Sequence, residues 1–309
     1  VSKESKQEEA TAARAEHTAS TILSTEQGLV EYAEFGNGPV VLALHGAMGG
    51  YDQGLILVRA VCEAGFRFVS VSRPGYLGTP ITAGKTPEKQ ADLCASLLDA
   101  LDISEAAALA ISGGGPCAIH FALRHRDRCR GLVLVSTCGG KIDTPIPLSF
   151  RLAELLARWP LFVKVMRRRT MADVERAARR SITDPVLRAR LLRDPDAGPL
   201  FVELLASTFD RMALRLPGTE NDITVTRAAT YPLEEIAVPV LVVHGTKDRL
   251  VPFKEHGKTL HERIPGAEML AIEGGEHAAI FTHRDEVRAR VTRFLQEHSP
   301  PAVDYAVDS

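Results

Sequence analysis

Along the chain, short runs of aliphatic and β-branched residues alternate with stretches in which apolar residues return every three or four positions. The first two runs, Thr21–Thr25 and residues 29–35, predict an antiparallel pair, and Gly36-Asn37-Gly38 turns the chain into a third strand at Val40–Leu44. Further strands are predicted at 67–72, Ala106–Ile111, 131–136, 239–244 and Glu268–Ile272. A helix is predicted over 87–101, with Leu93, Leu97, Leu98 and Leu101 at helical spacing, and another over 116–125. The run Leu132-Val133-Leu134-Val135 is apolar throughout rather than alternating, which suits a strand buried on both faces. Strands and helices that take turns in this way predict an α/β fold, with a mostly parallel central sheet and helices on both faces.

The alternation breaks between residues 139 and 235, which read as helical and arginine-rich without a convincing strand. Because strands resume afterwards, this stretch is expected to be a helical cap inserted over the carboxyl edge of the sheet, where ligands bind in open α/β folds. Asp184-Pro185 marks one helix start within it: an aspartate cap followed by proline at the first helical position. The expected organisation is a mobile segment at 1–20, a core built from 21–138 and 237–298, the cap at 139–236, and a tail at 299–309.

Composition narrows the function classes. The formal charge of the 309 residues is −2, so nothing electrostatic points to nucleic acid. No apolar run reaches the roughly 18–20 residues that span a bilayer, so no transmembrane segment is expected. The five cysteines form no Cys-x-x-Cys pair and mostly lie in apolar periodic segments. Buried free thiols are therefore expected, and with them a reducing, cytoplasmic location. The chain opens on Val1 rather than Met, an expectation of trimming that leaves a removed signal peptide open.

The candidate chemistry begins at Ser112, where the strand Ala106–Ile111 stops at Ser112-Gly113-Gly114-Gly115-Pro116 and a helix starts. A serine hydroxyl becomes a useful nucleophile when a sharp strand-to-helix turn projects it toward a base and amide donors. Asp248 follows the strand 239–244, and His277 follows Glu268–Ile272, so both lie on loops at the same sheet edge as Ser112. Blander roles compete: Ser112 as a helix cap, Asp248 as a solvated loop acid, and Glu276 or His283 in place of His277. Asp143 is the main rival for the carboxylate, although it lies well past its strand end.

Several other patterns carry less. Residues 113–118 fit a dinucleotide fingerprint, but the next strand ends in Ser136-Thr137-Cys138 with no acid for a ribose. Gly84-Lys85-Thr86 resembles the end of a phosphate-binding loop, yet with Gly78 upstream the loop is one residue too long and holds Pro80. His256 and His261, five apart on a predicted helix, read as surface residues rather than metal ligands. The arginines at 167–169 and 179–180 alternate with acids and read as a solvated face, with an anionic-substrate site as the minority view.

Four blocks in order make the chain from about residue 21 to 297 resemble the α/β-hydrolase superfamily. They are His45-Gly46-Ala47-Met48-Gly49-Gly50, Ser72-Arg73-Pro74-Gly75, the Ser112 elbow, and the Asp248 and His277 loops. The departure is Ala110 where the elbow pattern carries its first glycine, a difference of one methyl. The resemblance implies Ser112 as nucleophile, His277 as general base and acid, and Asp248 as the carboxylate that orients the imidazole. It also implies an oxyanion hole from the amides of Gly113 and Ala47, with Met48 as runner-up for the second donor. Met48, Trp159 and Phe209 are the substrate-binding candidates, and Leu155, Phe162, Phe201 and Leu205 are further apolar cap residues that suit a pocket wall.

The expected activity is hydrolysis of a small or medium acyl ester, or a related carbonyl compound, through an acyl-enzyme, with no cofactor and no metal. Acyl transfer, perhydrolysis and C–C bond hydrolysis use the same triad, and a low-turnover ligand-binding homologue keeps the same fold. The expected partner is a small-molecule substrate, and the oligomeric state is left open, a homo-oligomer included.

Overall fold

The computed structural model describes residues 19–142 and 148–299. Eight strands, β1 (Thr21–Thr25), β2 (Gly28–Phe35), β3 (Val40–Leu44), β4 (Arg67–Val71), β5 (Ala106–Ile111), β6 (Cys129–Val135), β7 (Val240–Gly245) and β8 (Glu268–Ile272), form one sheet. Its order is β1-β2-β4-β3-β5-β6-β7-β8. The pairs β1–β2 and β2–β4 are antiparallel, and every later pair is parallel. The predicted strands are present with small shifts at their ends. The strand predicted at 67–72 ends at Val71, and the Ser72 hydroxyl donates to the Glu31 carboxylate, 2.9 Å away.

The helices before and within the insertion are α1 (Tyr51–Val61), α2 (Pro87–Ala100), α3 (Gly115–Arg124), α4 (Leu148–Ala157), α5 (Pro160–Ala172), α6 (Val174–Ala178), α7 (Pro185–Arg193), α8 (Ala197–Ser207) and α9 (Leu216–Arg227). Those after it are α10 (Gly257–Arg263), α11 (Ala279–Thr282) and α12 (Arg284–His298). Helices α4 to α9 all fall between β6 and β7. Asp184 caps α7 as its sequence predicts, its carboxylate accepting from the amides of Val186 at 2.7 Å and Leu187 at 3.2 Å.

The pleat divides the core into two. Leu42 and Leu44 of β3, with Ala106, Ala108 and Ala110 of β5, pack under α2, α3 and α10. Val41, Ala43, Ala107, Leu109 and Ile111 point the other way, toward α1, α8 and α12. Each leucine so enclosed contributes about 1.5–3 kcal/mol, which is why strands buried on both sides need aliphatic residues at consecutive positions. Three of the four alanines of β5, Ala106, Ala108 and Ala110, face the α3 side, so α3 runs close to the strand that precedes it. Ala110 is fully buried there.

All five cysteines are buried and unpaired. Burial pushes the Cys138 thiol up to about 11, so thiolate chemistry has no foothold there. Among the described residues, no helix is long and apolar enough to cross a membrane. His256 differs from its expectation as a surface residue: α10 begins at Gly257, and His256 is only 5% exposed. Its backbone packs on Gly139, where a side chain would meet the His256 carbonyl oxygen at 3.0 Å. His261 is exposed.

Candidate active site

Ser112 leaves β5 with φ of 52°, a left-handed conformation that a residue other than glycine seldom adopts. The turn survives because its surroundings hold it: Thr137 Oγ1 donates to the Ser112 carbonyl, and α3 starts three residues later. Two glycines are dictated by close approach. A methyl on Gly114 would run into the Leu44 carbonyl oxygen, and one on Gly115 into the Thr137 side chain. The glycine run therefore lets α3 pass against β3 and the end of β6 while Ser112 stands clear of both.

The loops after β7 and β8 bring Asp248 and His277 together. His277 Nδ1 lies 2.8 Å from Asp248 Oδ2, and the Asp248 side chain is fully buried. The other carboxylate oxygen accepts from the amides of Leu250 and Val251, each at 2.9 Å. Burial alone would raise the Asp248 carboxyl, but the His277 bond and charge and the Val251 amide outweigh it and hold it below the ordinary carboxylate range. Asp248 is therefore an anion whose acceptors are pointed and filled, which leaves the imidazole with Nδ1–H as its donor. Asp143 lies outside the described residues.

Ser112 and His277 line one cavity of about 520 Å³, together with Gly46, Ala47 and Gly113. Its walls are mostly apolar, with Leu57, Phe201, Leu204, Leu205, Leu250 and Phe281 prominent among them. Of the pocket residues expected from sequence, Phe201 and Leu205 are here. Met48, Trp159 and Phe209 are not among its lining residues, and Trp159 is 65% exposed on the outside of the insertion. The arginines at 167–169 and 179–180 are also exposed to solvent.

The loop after β3 is held by a buried imidazole. His45 Nδ1 lies 2.6 Å from the Gly46 carbonyl oxygen, while its Nε2 accepts from the Arg73 amide at 3.1 Å. Those partners require a neutral ring with the proton on Nδ1, and burial, then the Arg73 charge, pushes the His45 pKa well down. With the Gly46 carbonyl drawn to His45, a trans peptide directs the Ala47 N–H to the opposite side. A methyl on Gly113 would lie 3.2 Å from that Ala47 nitrogen, so the two backbone segments meet beside Ser112. The Met48 amide is occupied, donating to Thr219 Oγ1 at 2.9 Å.

Two features of the site were not assigned from sequence. The first is a buried ion pair: Arg73 donates to both oxygens of Asp222, at 2.8 and 2.6 Å, and Tyr76 Oη donates to the same carboxylate at 2.6 Å. Arg73 belongs to the loop after β4 and Asp222 to α9, so the pair joins the sheet to the insertion. Burial disfavours the Arg73 cation, but the adjoining Asp222 charge more than offsets that and raises its pKa. The second is Glu276, beside His277, whose carboxylate accepts from the Thr183 amide at 2.7 Å, the Thr183 hydroxyl at 2.8 Å and the Asp184 amide at 3.0 Å. It ties the histidine loop to the start of α7.

Residues 39–284 match the family model described as the alpha/beta hydrolase fold. The chain belongs to the α/β-hydrolase family. An alpha/beta hydrolase fold protein from Nakamurella multipartita is 32% identical, with a TM-score of 0.74, over 90% of this chain and 99% of that one. Among α/β hydrolases related by sequence, a 2-hydroxy-6-oxononadienedioate/2-hydroxy-6-oxononatrienedioate hydrolase of Paraburkholderia xenovorans is 30% identical, over 86% of this chain and 90% of its own. The uncharacterized hydrolase YcgS of Bacillus subtilis is 27% identical, over 82% and 90% respectively.

Proposed function

We propose that this α/β hydrolase cleaves small or medium acyl esters through a covalent acyl-enzyme. Ser112 Oγ attacks the ester carbonyl while His277 Nε2 takes its proton, and Asp248 keeps the Nδ1–H in place and stabilises the imidazolium. The Ala47 and Gly113 amides receive the oxyanion. Collapse expels the alcohol, which leaves with the proton from His277. Water activated by the same imidazole then releases the acid and restores Ser112. The insertion acts as a cap that shapes the apolar pocket and limits water around the acyl group.

The observation that carries this reading is the 2.8 Å His277–Asp248 contact behind a cavity whose wall also holds Ser112. A serine in a left-handed turn adds support, since such strain accompanies function. Labelling with a fluorophosphonate tests it: adduct formation on Ser112, lost in Ser112→Ala, is expected, and folded protein that forms no adduct sinks the mechanism. The 30% identical relative named as an oxononadienedioate hydrolase favours a second reading, hydrolysis of a C–C bond beside a carbonyl with the same residues. A panel of aryl esters against vinylogous 1,5-diketones separates the two.

A further inference from the structure

We propose that Asp222 sets the charge class of the substrate: by consuming the Arg73 cation that stands beside the nucleophile, it makes the cavity a site for uncharged acyl groups and closes it to acyl groups that carry a carboxylate. The inference rests on Ser112 being the nucleophile, and it names the substrates that nucleophile meets.

Arg73 comes close to the reaction centre, because a methyl on Gly113 would lie 3.6 Å from its Nη2. Such a guanidinium is the natural anchor for a substrate carboxylate, which it would grip with two parallel N–H bonds. Here that grip is already taken. Nη1 and Nη2 each donate to Asp222, Nη1 also to Gln90 Oε1 at 3.3 Å, Nη2 also to the Gly46 carbonyl at 3.5 Å, and Nε to the His45 carbonyl at 3.0 Å. All five N–H donors of the guanidinium are engaged.

Arg215, the other fully buried arginine, is spent the same way. Its Nη1 and Nη2 both donate to Asp52, and its Nε to the Asp210 carbonyl. Among the described residues, no lysine or arginine lines the cavity, and Asp222 does. A substrate carboxylate would thus lose its water, find no free cation, and face the carboxylate of Asp222. The neutral polar groups that line the pocket, Gln53, Ser181, Thr208 and Thr226 among them, suit carbonyl or hydroxyl oxygens.

Three p-nitrophenyl esters of one chain length test this on the intact chain: the hexanoate, the mono-adipate with its free terminal carboxylate, and the methyl ester of that adipate. The expected kcat/KM of the free acid is at least about 100-fold below that of its methyl ester, as for an unpaired charge drawn into a dry pocket. A free acid that matches or exceeds its methyl ester overturns the proposal. In Asp222→Asn, which releases Arg73, the ratio of acid to methyl ester is expected to rise at least about tenfold, whatever the loss in absolute rate. Should that variant fail to fold, Leu205→Arg places a cation on the cavity wall and is expected to move the ratio the same way.

Binding separates this inference from the mechanism beneath it. Calorimetry on Ser112→Ala should find 2-octanone bound more tightly than 7-oxooctanoate, and equal or reversed affinities overturn the charge selection. If no ester is turned over while that preference holds, the acyl-enzyme reading fails and the selection by Asp222 stands.

Discussion

The sheet edge and the helical insertion each place one buried carboxylate near the cavity, and the two differ in what they face. Asp248 faces His277, an imidazole whose second ring nitrogen can take or give a proton, so under the proposed mechanism its fixed charge serves each half of the reaction. Asp222 faces Arg73, which stays charged, so its own charge is cancelled once and permanently. Both carboxylates are satisfied by convergent donors. Only Asp248 has a partner that the proposed mechanism asks to move a proton. A buried acid beside a cavity is therefore not by itself a sign of catalysis; whether its partner can exchange a proton, as an imidazole can and a guanidinium cannot, decides which role it suits.

Substitution should widen that contrast. Asp248→Asn is expected to lower kcat for a neutral ester by about 10³–10⁴-fold, because the amide favours the wrong tautomer of His277, with the melting temperature little changed. Steady-state kinetics alongside thermal melts checks this, and a loss under about tenfold would move the carboxylate role elsewhere, Asp143 first.

Asp222→Asn should show the reverse emphasis. Removing the charge leaves Arg73 buried without its counter-ion, and a stability loss of about 3–5 kcal/mol is expected in urea titrations. The kcat of the fraction that stays folded should fall far less than in Asp248→Asn. Comparable losses in the two variants would erase the distinction between them.

Glu276→Gln occupies the middle ground, since it weakens the tie between the histidine loop and α7 without touching Ser112. A stability loss of about 1–3 kcal/mol is expected for its charge-assisted bonds to Thr183 and Asp184. Hydrogen exchange should quicken at the amides of both residues.

The smallest expected effect lies at acid pH. Burial alone would raise the Asp248 and Glu276 carboxyls, but His277 in the first case and the Asp184 and Thr183 bonds in the second hold both below their ordinary range. The unfolded chain then binds more protons than the folded one, so stability rises with pH through this range. Their contribution is complete above the unfolded carboxylate value near pH 4 and is lost as pH falls through the lower folded values. Glu276→Gln should flatten the acid limb of a stability profile, and an unchanged limb would show that this carboxylate is not linked to folding.

Much of the architecture was legible because its causes are local. Strands apolar at consecutive positions announce a sheet covered on both faces, and Asp184-Pro185 announces a helix start, since the bonds that cap it span two or three residues. The Ser112 turn was legible for the same reason, its glycines being required where α3 brushes Leu44 and Thr137. The exposed position of Trp159 and the burial of His256 were not legible. Which face of a helix or loop turns inward is set by its packing partners, and those lie far away in sequence.

The sequence by itself determined the order of elements, the Ser112 turn, and the sheet edge at which Ser112, Asp248 and His277 lie. Those rest on backbone sterics and hydrophobic period, which act over a few residues. Only the tertiary structure decided that Arg73 would meet Asp222 across 149 positions of sequence, that Glu276 would hold α7, and which apolar residues would line the cavity. Charge pairing and pocket shape depend on distances in space, and no local pattern reports the distance between residues that folding alone brings together.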